Sequence, residues 1–192
     1  MIGTLLTQWT IRLALACLAV YFGGWLWGVG SSTPAPSTPD ARRKFAALRW
    51  IWTIGCVLFV AHVACAFQFT HHWSHAHAWE HTAHETERLM GFSFGDGIYF
   101  SYFFLLLWIA DVITLWVCDS RPGWIILPVY LFIFFIALNG AIVFEDGPTR
   151  PVGMVVVVVL VALSVVFAAR SVRRLLSQER KGTKGTLAEV DA

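Results

Sequence analysis

The sequence predicts an all-α integral membrane protein, with five transmembrane helices and a short interfacial amphipathic helix between the second and third. Three observations carry that prediction. The 192 residues are 57% hydrophobic and only 14% charged, with mean hydropathy +0.65, which is too apolar for a soluble domain of this size. The apolar residues gather in five segments, about 4–28, 48–69, 98–118, 123–145 and 152–170, each long enough for a hydrocarbon core that takes roughly 20 residues. Those segments hold unbroken apolar runs such as Val155 to Val159 and Phe103 to Leu107, where the strands of an outer-membrane barrel would alternate with polar residues.

The first segment carries Arg12 and could be taken for a signal sequence with Leu13 to Val29 as its apolar stretch. No small-residue cleavage site follows it cleanly, and cleavage would export the basic run Arg42 to Lys44, so we read it as a span. Ala14 to Cys17 is likewise a poor lipoprotein box. The linker 29–47 contains the Pro/Ser/Thr tract from Ser31 to Asp40, expected to be extended because such a composition builds no core. The second span holds His62, the third Asp111, and the fourth Pro128 and Asn139. Between the second and third lies the loop 70–97. Val152 to Ala169 of the fifth span holds no ionisable residue, and the tail 171–192 is basic and expected to be disordered, with Arg173, Arg174 and Arg180 on anionic headgroups.

Lysine and arginine set the orientation, because cytoplasmic flanks retain positive charge. Eleven fall on one side, from Arg42, Arg43, Lys44, Arg49 and Arg121 to the six of the tail, against Arg12, Arg88 and Arg150 on the other. That places the N-terminus and the loop 70–97 outside and the C-terminus in the cytoplasm, in a bacterial-type inner or plasma membrane. The net charge of +2 is then an insertion signal and gives nucleic-acid binding no support. Tryptophans 25, 27, 50, 52, 116 and 124 read as anchors at the inner interface, and 9, 73 and 79 at the outer one. The four cysteines lie in or at the ends of spans with no Cys-x-x-Cys pair, so no disulfide or thiol-redox motif is visible.

The chemistry concentrates in the outer loop. All seven histidines lie between His62 and His84, six of them from His71 onward. Ser74 is a good N-cap, Ala76 to Met90 favours helix, and Gly91 can end it. At 100° per residue His77, Glu80, His81, His84, Glu87 and Arg88 share one stripe, opposite His75, Trp79, Ala83, Thr86 and Met90. Histidines at i, i+4 and i+7 are placed to converge on one ion. We therefore take His77, His81, His84 and Glu80 as candidate metal ligands, with His71, His72 and His75 as an auxiliary set. The alternatives are a pH-responsive loop or a merely solvated face. Arg88 on the stripe counts against metal unless it pairs with Glu85 or Glu87.

Within the stripe, His77-Ala-Trp-Glu80-His81 resembles the His-x-x-Glu-His zinc motif of inverzincin peptidases over five residues. The resemblance implies His77 and His81 as zinc ligands and Glu80 as the base that activates water, the only catalytic role it suggests. The chain lacks the large soluble domain of those enzymes. His71-His72-Trp-Ser-His75 and the run His77, His81, His84 also resemble the histidine boxes of membrane di-iron desaturases and hydroxylases, but all sit in one loop, where those families spread theirs over three. Haem is disfavoured on ligand supply, since His62 is the only histidine inside a span.

Four intramembrane polar residues need an account, because ionisable groups in lipid must be paired or hydrated. Arg12, His62 and Asn139 all fall in the outer half and could share a pocket with Tyr102 beneath the loop helix, with Asp111 as its floor. Snorkelling of Arg12 and an interhelical hydrogen bond at Asp111 are the structural alternatives. The function expected is binding of a transition-metal ion (zinc, copper, iron or nickel) for sensing, delivery or assembly. A membrane metal-dependent hydrolase or oxidase and a non-catalytic subunit that binds other membrane subunits are the other classes.

Overall fold

The computed structural model describes residues 2–26, 38–118 and 123–142. Helix covers 91% of them, in keeping with the all-α class. The elements are α1 (Ile2–Leu26), α2 (Pro39–Ala66) with a π-helical turn, Phe67–His71, continuing it, α3 (His75–Met90), α4 (Gly97–Val117) and α5 (Gly123–Ile142). The fifth expected span, 152–170, and the tail 171–192 lie outside the described residues.

Among the described residues, three helical stretches are long and apolar enough to cross a membrane: Ile2–Trp25, Pro39–His71 and Gly97–Val117. The fourth expected span overlaps α5, in which the described stretch Pro128–Ala137 is apolar. Outward faces are apolar as well. Leu106 is 64% exposed, Leu131 60% and Val57 62%, a surface that water would penalise and lipid does not.

α2 starts at Pro39, inside the stretch expected to be linker. The cause is local: the Thr38 hydroxyl accepts a hydrogen bond from the Ala41 N–H at 3.3 Å, Pro39 occupies the first turn, and Asp40 adds the negative charge that a helix start favours. At ~1.5 Å per residue, the 33 residues to His71 extend about 50 Å, well beyond a ~30 Å hydrocarbon core. A helix of that length crossing a bilayer would project past the lipid tails at one or both ends.

Among the described residues, the core joins four helices. α1 supplies Leu18, Tyr21 and Phe22; α2 Leu48, Trp52 and Cys56; α4 Phe104, Trp108 and Leu115; α5 Tyr130, Ile133 and Ala137. Trp52 and Trp108, both wholly buried, meet at 4.8 Å between ring centroids, and Trp52 stacks on Tyr21 at 4.1 Å. Gly55 makes this approach possible: a Cβ there would stand 2.9 Å from the Cys17 Cβ and 3.0 Å from the Trp108 ring. The assignment of Trp52 to the membrane interface is thus overturned. Trp50, two residues earlier and on another face, is 55% exposed, packs edge-on against Trp116, and fits that role.

Candidate metal centre

The histidine segment is positioned by an unusual turn. α2 ends without glycine or proline, widening into the π-helical turn Phe67–His71, after which His72 and Trp73 both take positive φ, 51° and 58°. Left-handed backbone is uncommon for any residue with a Cβ and is a clear outlier for tryptophan. The turn is held by Trp73 N–H to the Phe67 carbonyl (3.0 Å), Ser74 N–H to the His71 carbonyl (2.9 Å) and the Trp73 indole N–H to Gln68 Oε1 (2.9 Å). Its effect is to fold His71 and His72 back towards the first turns of α3.

α3 begins and ends where its sequence predicts. The Ser74 hydroxyl accepts from the His77 N–H at 3.2 Å, and Gly91 closes the helix at φ 79°. Ala78, Ala83 and Thr86 are its buried residues. The helix is fastened to the start of α4 by the Trp79 indole N–H, which donates to Asp96 Oδ1 at 3.0 Å, over Gly95, where a Cβ would run into that indole. Its other face carries His77, Glu80, His81, His84, Glu87 and Arg88 around a shallow, open concavity. Arg88 is engaged by Glu85 at 2.7 Å, three residues before it, as expected if the histidines of the stripe are not its partners.

His71 is the hub of the imidazoles. Its ring lies 5.3 Å from that of His81 and 5.7 Å from that of His77, and His72 lies 6.4 Å from His77 with the two rings nearly parallel, at 5°. The His71 Nδ1 is buried and has no hydrogen-bond partner among the described residues. Two imidazoles on one ion at ~2.0–2.1 Å from each nitrogen have centroids about 4.5 Å apart at a right angle and about 6.5 Å apart when opposite, so all three spacings fall in that range. Among the described residues no three His, Cys, Asp or Glu side chains form a ready-made metal site as they stand, so coordination requires the rings to turn about their side-chain torsions.

The remaining candidates separate from this hub. His84 and Glu80 lie along the same face of α3, lining the concavity with His77 and His81. His75 turns away: its Nδ1 is 3.1 Å from the Tyr102 hydroxyl and its Nε2 3.4 Å from that of Tyr99, which ties the start of α3 to α4. The central position of His71, on a different element from the stripe, was not legible from helical spacing. Its only sequence signal is membership of the same histidine run.

Inside the bundle the polar residues find different partners. His62 Nδ1 is 2.9 Å from the Thr7 carbonyl of α1, Asn139 donates to the Phe135 carbonyl of its own helix at 2.8 Å, and the Arg12 guanidinium lies 5.8 Å from the Trp9 ring. Asp111 is 8% exposed and its Oδ2 accepts from the Trp52 indole N–H at 2.9 Å and from the Tyr130 hydroxyl at 3.4 Å. The Tyr130 and Tyr21 hydroxyls pair at 2.6 Å. Asp111 is thus an interhelical hydrogen-bond centre joining α2, α4 and α5, with α1 reached through Tyr21. Below α3 a cavity of about 700 Å³ does open, lined among others by Phe94, Phe100, Ser101, Phe135, Ile136 and Asn139. Of the residues expected to line such a pocket, Asn139 is the one among its described lining.

No protein-family model, curated protein or solved structure matches the chain.

Proposed function

We propose that the chain is a five-span protein of a bacterial-type inner or plasma membrane, N-terminus outside, that binds a transition-metal ion through its extracytoplasmic histidine segment. The role is sensing, delivery or assembly. α3 lies along the outer headgroups with Ala78 and Ala83 inward and its imidazole and carboxylate stripe facing water. The observation that carries the reading is the convergence of His71 from the end of α2 on His77 and His81 of α3, at 5.7 and 5.3 Å. Neutral imidazole is the donor that zinc, copper and nickel share. His84 and Glu80, further along the stripe, are the outer donors of this surface.

Metal loading tests the proposal. Detergent-purified protein incubated with zinc and desalted is expected to retain metal near one equivalent, and a His71→Ala/His77→Ala/His81→Ala variant to retain far less. Equal, negligible retention in both proteins defeats the reading.

A further inference from the structure

We infer that the ion is held by nitrogen alone, through four imidazoles, with His71 and His72 on the turn after α2 and His77 and His81 on α3. This rests on the metal-binding reading above and deepens it to a donor set and an ion class. His72 enters because its ring already stands parallel to that of His77 at 6.4 Å, the separation of ligands on opposite sides of one ion. The backbone strengthens the argument. His72 keeps a side chain at φ 51°, beside Trp73 at 58°, a conformation that glycine adopts without strain. Such strain persists where the surroundings determine it, and it concentrates at functional sites. Here its product is an imidazole brought against α3.

The sulfur donors lie in other elements and two further donors have partners, which leaves Glu80, His84 and Glu87 as neighbours of the set on α3. Cys17, Cys56 and Cys65 lie within the helices α1 and α2, and Cys118 at the far end of α4. Glu85 is bound to Arg88, and His75 to the tyrosines of α4. A nitrogen-only set selects late first-row divalent ions and zinc, with copper(II) bound most tightly, over magnesium, calcium and manganese, which take oxygen.

The test uses the full chain in detergent, loaded with one equivalent of copper(II). Nitrogen couplings in the electron paramagnetic resonance spectrum count the imidazoles, and competition with zinc, magnesium and manganese ranks the ions. Four nitrogens are expected, with zinc competing and magnesium and manganese not. His72→Gly suits the positive φ and should fold as well as the parent, so its loss of one nitrogen cannot be ascribed to misfolding. Its affinity should fall by about tenfold or more, at least what loss of an outer-shell partner costs. An unaltered His72→Gly overturns the four-imidazole set while metal binding stands. Failure of the parent chain to bind either ion overturns both.

Discussion

Trp52 and Trp108 form a matched pair that isolates the worth of the polar contact in the bundle core. Both are wholly buried, and their rings touch. The Trp52 indole N–H donates to Asp111 at 2.9 Å, whereas the Trp108 indole nitrogen is buried with no partner among the described residues. Replacing either by phenylalanine removes ~40 Å³ of ring, worth about 1 kcal/mol at ~24 cal/mol per Å³ of residual cavity. Trp52→Phe also removes a hydrogen bond to a buried carboxyl, worth about 1.5–3 kcal/mol in soluble proteins and nearer ~0.6 in the average membrane helix pair. The expected costs are therefore about 1 kcal/mol for Trp108→Phe and about 2–4 kcal/mol for Trp52→Phe. Unfolding in mixed micelles with rising sodium dodecyl sulfate measures both. In an Asp111→Ala background the gap between the two variants should close. Equal costs in the native background would refute the claim that the Asp111 contact stabilises the core.

Three further outcomes follow from the geometry. Gly95→Ala places a methyl group in the Trp79 indole, so Trp79 must leave Asp96; hydrogen exchange across α3 should rise while that of the α1–α2 pair is unchanged. Tyr21→Phe removes one member of the 2.6 Å hydroxyl pair with Tyr130 and should cost about 1 kcal/mol in the same micelle assay. Zinc at 100 times its dissociation constant should stabilise the fold by about 2.7 kcal/mol at neutral pH, seen as a higher thermal midpoint. That gain should vanish on acidification, because protons compete for the imidazole nitrogens that hold the ion. A midpoint raised equally by zinc at pH 7 and pH 5 would contradict imidazole ligation.

What the sequence made legible was set by local rules. Ser74 and Gly91 bound α3 through backbone capping, which depends on residues a few positions apart. Asp111 stood out because a carboxyl in an apolar helix needs a partner, but its partners, Trp52 and Tyr130, belong to other helices and looked like membrane residues of ordinary kind. A signal was present in α2: Leu48, Trp52, Gly55 and Cys56 recur at helical spacing, and a glycine beside a tryptophan on that stripe marks close packing. The hub at His71 was hidden for a different reason. It depends on two consecutive left-handed residues with side chains, His72 and Trp73, which no propensity rule favours.

That turn also explains how the histidine face is assembled at the end of the bundle. Had α2 run on as a regular helix, His71, His72 and His75 would have continued away from α3 along its axis. The π-helical turn and the reversal at His72–Trp73 instead bring His71 onto α3, while His75 is drawn to Tyr99 and Tyr102 and fixes where α3 starts against α4. The Trp79–Asp96 bond over Gly95 fastens α3 a turn further on. Two anchors on α4 and a strained turn on α2 therefore govern the distance between His71 and the pair His77 and His81. Movement of α2 against α4 would alter that distance, and the two helices are joined in the core by Trp52 and Asp111. On the proposed reading, an ion held between His71 and this pair would be linked through these elements to the packing of α2 against α4.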